Sequence, residues 1–110
     1  YVVGRVAADN GGSLSGKSVQ VIGVAYKPNV ADTRETPAEL VIEELKKAGA
    51  SVTWHDPVVQ SWRGGQSSSL GGSEIAIVVT MHDVVSAESV LASAPYVFDT
   101  TGKVKGAVQL

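Results

Sequence analysis

The sequence is 110 residues long, with 44% apolar and 18% charged residues, a formal net charge of -2 and no cysteine. A length of this order suits one domain that buries roughly two-thirds of its unfolded surface. The balance of 9 basic against 11 acidic residues argues against a nucleic-acid or anionic-membrane partner, and the absence of cysteine excludes disulfides, thiolate metal sites and a cysteine nucleophile within the chain.

The longest uninterrupted apolar run, Ile75 to Val79, falls far short of the ~18 residues a membrane span needs, and the first residues lack the basic, apolar, small-residue order of a signal peptide. A soluble, cytoplasmic domain is therefore expected. The first residue is Tyr1 rather than Met, which points to a piece of a longer protein. Residues 2–9 carry Val2, Val3, Val6, Ala7 and Ala8 and read as the end of a helix. Residues 1–12 are expected to be the tail of a linker helix from a preceding domain, and residues 13–110 the domain proper.

Gly11 to Ser18 matches the phosphate-loop pattern GxxxxGK[ST] letter for letter. That chemistry requires a strand before the loop and a helix after it, so that helix N-terminal amides point at phosphate. Here a helix precedes and a strand follows, so the match reads as a plain turn. The strand, residues 18–24, is apolar and β-branched as a strand buried on both faces should be. A long polar loop then leads into a helix, in which Ala38, Val41, Ile42, Leu45 and Ala48 recur at helical spacing. Thr36 reads as its N-cap, Pro37 as its first residue, Glu39 as the partner in a capping box, and Gly49 as its stop.

Residues 51–55 read as a second strand closed by Asp56-Pro57, and the Gly- and Ser-rich stretch Gly64 to Gly72 as a flexible connection. Residues 75–80 form a third strand. Asp83 is expected to cap an amphipathic helix with Val84, Ala87, Leu91 and Ala94 on one side, and residues 96–98 form a fourth strand. Strands alternating with helices imply an α/β fold, a Rossmann-like three-layer αβα arrangement with a mostly parallel sheet. Ligands of such sheets bind beyond the carboxyl ends of the strands.

The loop after the first strand offers Gly23 without the further glycines of a dinucleotide fingerprint, and Asp56 lies well past the ~20 residues at which the ribose-binding acid is expected. An independent NAD-binding half is disfavoured. In its place stands Tyr26-Lys27-Pro28-Asn29-Val30-Ala31-Asp32-Thr33-Arg34-Glu35-Thr36-Pro37. Tyr26 can stack or bound a pocket, Lys27 is a point charge for phosphate, Arg34 can fork onto two oxygens, and Asp32 can orient either cation. The plainer alternative is that Asp32 and Arg34 pair to hold the loop while Lys27 is solvated. His55 reads as structural, with no second ligand at metal spacing. His82 lies at the ligand edge, as a proton shuttle or simply the residue before the Asp83 cap, with no nucleophile paired to it. No catalytic residue and no metal site is assigned.

From Gly23 to Ala38, with support from Leu45, Gly49 to Val52, Asp56-Pro57 and Phe98-Asp99, the sequence resembles the UDP-glucose/GDP-mannose dehydrogenase family, specifically its C-terminal UDP-binding domain. The resemblance spans about residues 2 to 102. It implies a full protein that oxidises the C6 hydroxyl of a UDP-sugar to a carboxylate in two NAD-dependent steps through a cysteine thioester. That cysteine and the main NAD site lie in N-terminal and central domains, so this chain alone is expected to be inactive. Tyr26 and Lys27 match positions that contact the UDP-sugar, and Arg34 one that reaches NAD. Tyr-Lys-Pro leans towards UDP-N-acetylmannosamine or related enzymes over the glucose type. The chain departs from the glucose-type members, which tend to carry an arginine just after the final strand's Asp as a further substrate contact: here the run is Asp99-Thr100-Thr101-Gly102-Lys103, with Lys103 the candidate substitute. A homo-oligomer built through a central helix mostly outside this chain is also implied. The alternative is a free-standing nucleotide-binding or regulatory module without catalysis.

Overall fold

The β-branched segments of the sequence become the strands of a parallel sheet in the computed structural model, which describes all of residues 1–110. In chain order the elements are α1 (Val2–Asp9), β1 (Ser18–Ile22), α2 (Pro37–Lys47), β2 (Ser51–His55), β3 (Ser61–Trp62), β4 (Gly65–Gln66), β5 (Ile75–Val78), α3 (Ala87–Ala92), β6 (Tyr96–Asp99) and β7 (Val108–Gln109). Five strands form one sheet in the order β2-β1-β5-β6-β7, and β3 and β4 form a separate hairpin. Every pairing in the large sheet is parallel, with Val21 beside both Trp54 and Ile77 at its centre.

Alternation along the strands builds two cores. Val19 and Val21 of β1, Ile75 and Ile77 of β5 and Phe98 of β6 pack on one face with Val3, Val6, Ala38, Ile42 and Leu45 of α1 and α2. Ile22, Ala76, Val78 and Val97 pack on the other with Val90 of α3, Met81 and Val104. Both faces are thus covered by the chain's own residues. The radius of gyration of 12.5 Å matches the ~13 Å of a folded 100-residue domain. Helix α1 belongs to the first of the two cores, and Tyr96 Oη donates to Asp9 Oδ2 at 2.7 Å to tie its end to β6.

Several local features depart from the sequence reading. Thr36 is the N-cap of α2 and Pro37 its first residue, but the capping box does not form. The Thr36 hydroxyl accepts from the Ala38 amide at 3.2 Å and spends its proton on the Ala25 carbonyl at 3.3 Å, while its own amide is directed to Thr33 O. Ser86, not Asp83, caps α3, accepting from the Ser89 amide at 3.1 Å. Val84 consequently precedes the helix and is exposed.

The stretch from Gly64 to Gly72 is tethered rather than free. Residues 61–66 turn back as the β3-β4 hairpin, in which Trp62 meets Trp54 edge-to-face at 5.9 Å. Ser67 Oγ accepts from the Asp56 amide, Ser68 O accepts from His55 Nδ1 at 2.7 Å, and buried Gln20 bonds Ser68, Ser69 and Gly71. His55 is therefore the structural residue expected. The Gly11–Ser18 turn connects α1 to β1 at the opposite edge of the sheet from the Tyr26 loop, as the contextual argument required.

Two groups fix how the strands end at the ligand edge. Gly23 turns the chain after β1 with φ +86°, and a Cβ there would lie 1.9 Å from the Thr80 carbonyl oxygen. Asp56 is fully buried. Its Oδ1 accepts from the amides of Val58 and Val59, both at 2.9 Å, and its Oδ2 accepts from the Val24 amide and His82 Nε2, both at 2.9 Å. Burial by itself raises the Asp56 carboxyl, but hydrogen bonds from His82 and from the amides of Val59, Val24 and Val58 outweigh it and hold the group below its ordinary value.

Two expectations follow for stability. Gly23→Ala forces both left-handed strain and overlap with backbone that cannot swing away, and is expected to cost on the order of 3 kcal/mol or more in chemical denaturation. For Asp56, lowered in the folded state, the unfolded chain binds more protons between the folded value and the ordinary carboxylate range. Its contribution is complete above about pH 4 and is lost as pH falls through the folded value. Urea midpoints should drop below about pH 4. Asp56→Asn should flatten that acid dependence while costing on the order of 3 kcal/mol at neutral pH, because its amide faces two buried donors.

Candidate functional site

The long loop, residues 26–36, leaves the sheet where β1 ends and returns at the cap of α2. Its two ends are pinned to one atom: the Ala25 carbonyl accepts from Thr36 Oγ1 at 3.3 Å and from Thr80 Oγ1 at 2.8 Å. Inside the loop the Tyr26 amide donates to Asp32 O at 2.6 Å. Asp32 and Arg34 form a fork, Nε to Oδ1 at 3.0 Å and Nη2 to Oδ2 at 2.7 Å, while the Arg34 amide also reaches Oδ1 at 2.9 Å. The Arg34 side chain and amide together hold the Asp32 carboxyl down at about 2. Of the two cations that Asp32 was expected to orient, it takes Arg34. That pair is solvent-exposed, so it shapes the loop more than it stabilises the fold.

Tyr26 is half-exposed and forms a wall between two clefts. On one side Asp32, Arg34 and Glu35 line an open cleft of about 430 Å³. On the other, a cleft of about 290 Å³ is lined by Lys27, Pro28, Thr80, Met81, Thr101 and Lys103, among others. The second cleft lies over the carboxyl ends of β1, β5 and β6, where parallel sheets take their ligands. Its lining holds two lysines and no carboxylate, and neither lysine has an ion-pair partner. Two unpaired lysines and two threonines on one cleft are chemically complementary to an anion with several oxygens.

The four residues singled out in sequence therefore divide, with Tyr26 and Lys27 on the lysine cleft, Asp32 and Arg34 on the other, and Tyr26 shared. Lys103 joins Lys27, which the sequence raised only through a loose alignment. Thr80 and Thr101 are not among the sequence candidates, although each lies two residues past a strand end at the ligand edge. Thr101 is held there by buried Asp99, whose Oδ1 accepts from the Thr101 amide at 2.8 Å and hydroxyl at 2.6 Å.

His82 is buried and spans two partners. Its Nδ1 accepts from the Asn29 amide at 2.8 Å, so its ring proton sits on Nε2 and is donated to Asp56. A ring with both nitrogens engaged and no contact with solvent is a structural group, and no nucleophile lies against it. Asp56 occupies the strand end where a dinucleotide site places its ribose-binding acid, but both its oxygens are occupied and buried. With a single glycine turning after β1, the chain's own residues do not fit a dinucleotide cofactor. No group of three or more acidic or histidine side chains is placed to hold a metal ion, and no helix is long and apolar enough to cross a membrane.

Comparison with known proteins agrees with this geometry. Residues 20–106 match the model of the UDP-glucose/GDP-mannose dehydrogenase family, UDP binding domain. The chain is 43% identical over 53 residues to UDP-glucose 6-dehydrogenase of Rhizobium meliloti, covering 48% of this chain and 12% of that protein. It is 38% identical over 69 residues to UDP-N-acetyl-D-mannosamine dehydrogenase of Methanococcus maripaludis, covering 60% of this chain and 16% of that protein. Among solved structures, a UDP-glucose dehydrogenase from the archaeon Pyrobaculum islandicum superposes with a TM-score of 0.75 at 25% identity, covering 96% of this chain and 27% of that one. The chain thus spans between about an eighth and about a quarter of the length of these relatives. A family match over residues 20–106, most of the chain, means that this chain belongs to the UDP-glucose/GDP-mannose dehydrogenase family as its UDP-binding domain.

Proposed function

We propose that this chain is the UDP-sugar-holding part of an NAD-dependent UDP-sugar 6-dehydrogenase acting on a substrate of the UDP-N-acetylmannosamine or UDP-glucose type. The observation that carries the reading is the cleft at the carboxyl edge of the sheet, with Lys27 and Lys103 unpaired and no acid on its walls. A diphosphate offers several anionic oxygens, and two ammonium groups with flanking hydroxyls complement it without a compensating carboxylate to displace. Tyr26 borders the same cleft and supplies a flat apolar face for a base or sugar. Lys103 takes the part of the family's late arginine.

The chain binds and orients but does not react. It has no cysteine to carry an acyl intermediate and no unengaged general base in the cleft. The oxidation requires NAD, which is held mainly by sequence outside this chain. Arg34, exposed on the far side of Tyr26 and pre-set by Asp32, is the residue that reaches towards that cofactor. Helix α1 is the end of a helix entering from the preceding domain.

Two measurements test the assignments. UDP titrated calorimetrically into the chain should bind weakly and more tightly than uridine. Lys27→Ala should weaken it at least tenfold, about 1.4 kcal/mol, while unchanged affinity would remove Lys27 from the site. In the full-length enzyme, Arg34→Ala should raise KM for NAD several-fold and leave KM for the UDP-sugar within about twofold. The opposite split would place Arg34 on the substrate.

A further inference from the structure

Buried His82 is fully hydrogen-bonded and unused by the chemistry proposed above, yet it sits at the one place where the middle of the ligand loop is hydrogen-bonded to the body of the domain. Between Tyr26 and Glu35, two hydrogen bonds join the loop to another segment, and both are at Asn29. The Asn29 amide donates to His82 Nδ1 at 2.8 Å, and Asn29 Oδ1 accepts from the Asp83 amide at 2.8 Å. Asn29 is held there in the left-handed region, φ +67°, which Asn tolerates better than most residues but does not favour.

Beyond His82 the chain of bonds continues inward: His82 Nε2 donates to Asp56, which also accepts from Val24 at the end of β1. The position of Asn29 is therefore referenced to the sheet itself. Outward, Pro28 links Asn29 to Lys27. Proline fixes its own φ and confines the residue before it to extended backbone, so little backbone freedom is left between the anchored Asn29 and the Lys27 Cα from which its side chain springs. The loop's other attachments, at Ala25 and Thr36, lie at its two ends and leave its middle free to swing.

We infer that His82 is a positioning residue for the UDP site: its Nδ1 anchors Asn29 and, through Pro28, sets where the backbone of Lys27 stands beside the cleft. That the loop carries UDP rests on the function proposed above, but the anchoring does not. The Nδ1 anchor also predicts which replacement works. Asparagine places an acceptor on Cγ, where histidine carries Nδ1, and so keeps the bond to Asn29. Glutamine places its amide one carbon further, reaching Asp56 but not Asn29.

The test is amide hydrogen exchange on the chain alongside UDP calorimetry, for His82→Leu, His82→Gln and His82→Asn. The leucine and glutamine variants should exchange the Asn29 and Asp83 amides at least tenfold faster than wild type, with Val21 and Ile77 of the central strands unchanged, and bind UDP at least fivefold more weakly. The asparagine variant should return both readings to within about threefold of wild type. If His82→Leu fails to fold, His82→Gln carries the comparison with the same expectations. Wild-type loop exchange and affinity in the leucine or glutamine variant, or an asparagine variant no better than glutamine, would overturn the proposal. Exchange needs no ligand, so it decides the anchoring even where wild-type chain fails to bind UDP, a result that would count against the ligand reading alone.

Discussion

A single buried carboxylate organises the ligand edge of this domain. Asp56 gathers four donors from three stretches of chain: the amide just after β1, two amides in the turn after β2, and the imidazole that follows β5. Burying a charge is costly unless it is fully hydrogen-bonded, so these partners are not interchangeable, and removing one leaves a high-energy group behind. The consequence is geometric. The ends of three strands and the turns that follow them are locked to one point, and the ligand loop is hung from that point through His82 and Asn29.

The loop shows how a fixed frame is turned into a binding surface. Its ends converge on the Ala25 carbonyl, and Gly23, pressed against the Thr80 backbone, lets β1 and the segment after β5 approach closely enough for that to happen. Tyr26 then separates a cationic cleft from one containing a neutralised arginine. A dinucleotide-binding Rossmann unit uses the same edge differently, with glycines that admit a pyrophosphate and an exposed acid for ribose. Here the glycine turn is shortened to one residue and the acid is turned inward as a structural hub. The topology is shared while the chemistry at its edge differs, with two unpaired lysines lining the cleft beyond the strand ends.

Much of this was written locally in the sequence, and the remainder depends on contacts between distant residues. The buried strands, helix α2 with its Thr36-Pro37 start, and the loop from Tyr26 to Pro37 follow from periodicity, capping and composition. So does the dismissal of the Gly11–Ser18 motif, because its failure is one of element order. Strand β7 is two residues long and carries no periodicity. The tethering of Gly64–Gly72 depends on Gln20, some fifty residues away, whose buried amide turns a Gly/Ser stretch into an ordered strap. Thr36 had two possible uses for its hydroxyl, and the choice of Ala25 over a capping box becomes visible only in three dimensions. His82 looked like a shuttle or a residue beside a cap, because nothing in the chain reveals that Asp56 and Asn29 meet on either side of one ring.

The most direct test of the account is to map UDP onto the chain by following backbone amide chemical shifts during titration. The account predicts that the amides of Tyr26, Lys27, Thr101 and Lys103 move together along the carboxyl edge of the sheet, with Gly11 to Ser18 and the Trp54–Trp62 face unaffected. Shifts centred on Gly11 to Ser18, or on Arg34 with Lys27 and Lys103 unmoved, would contradict it.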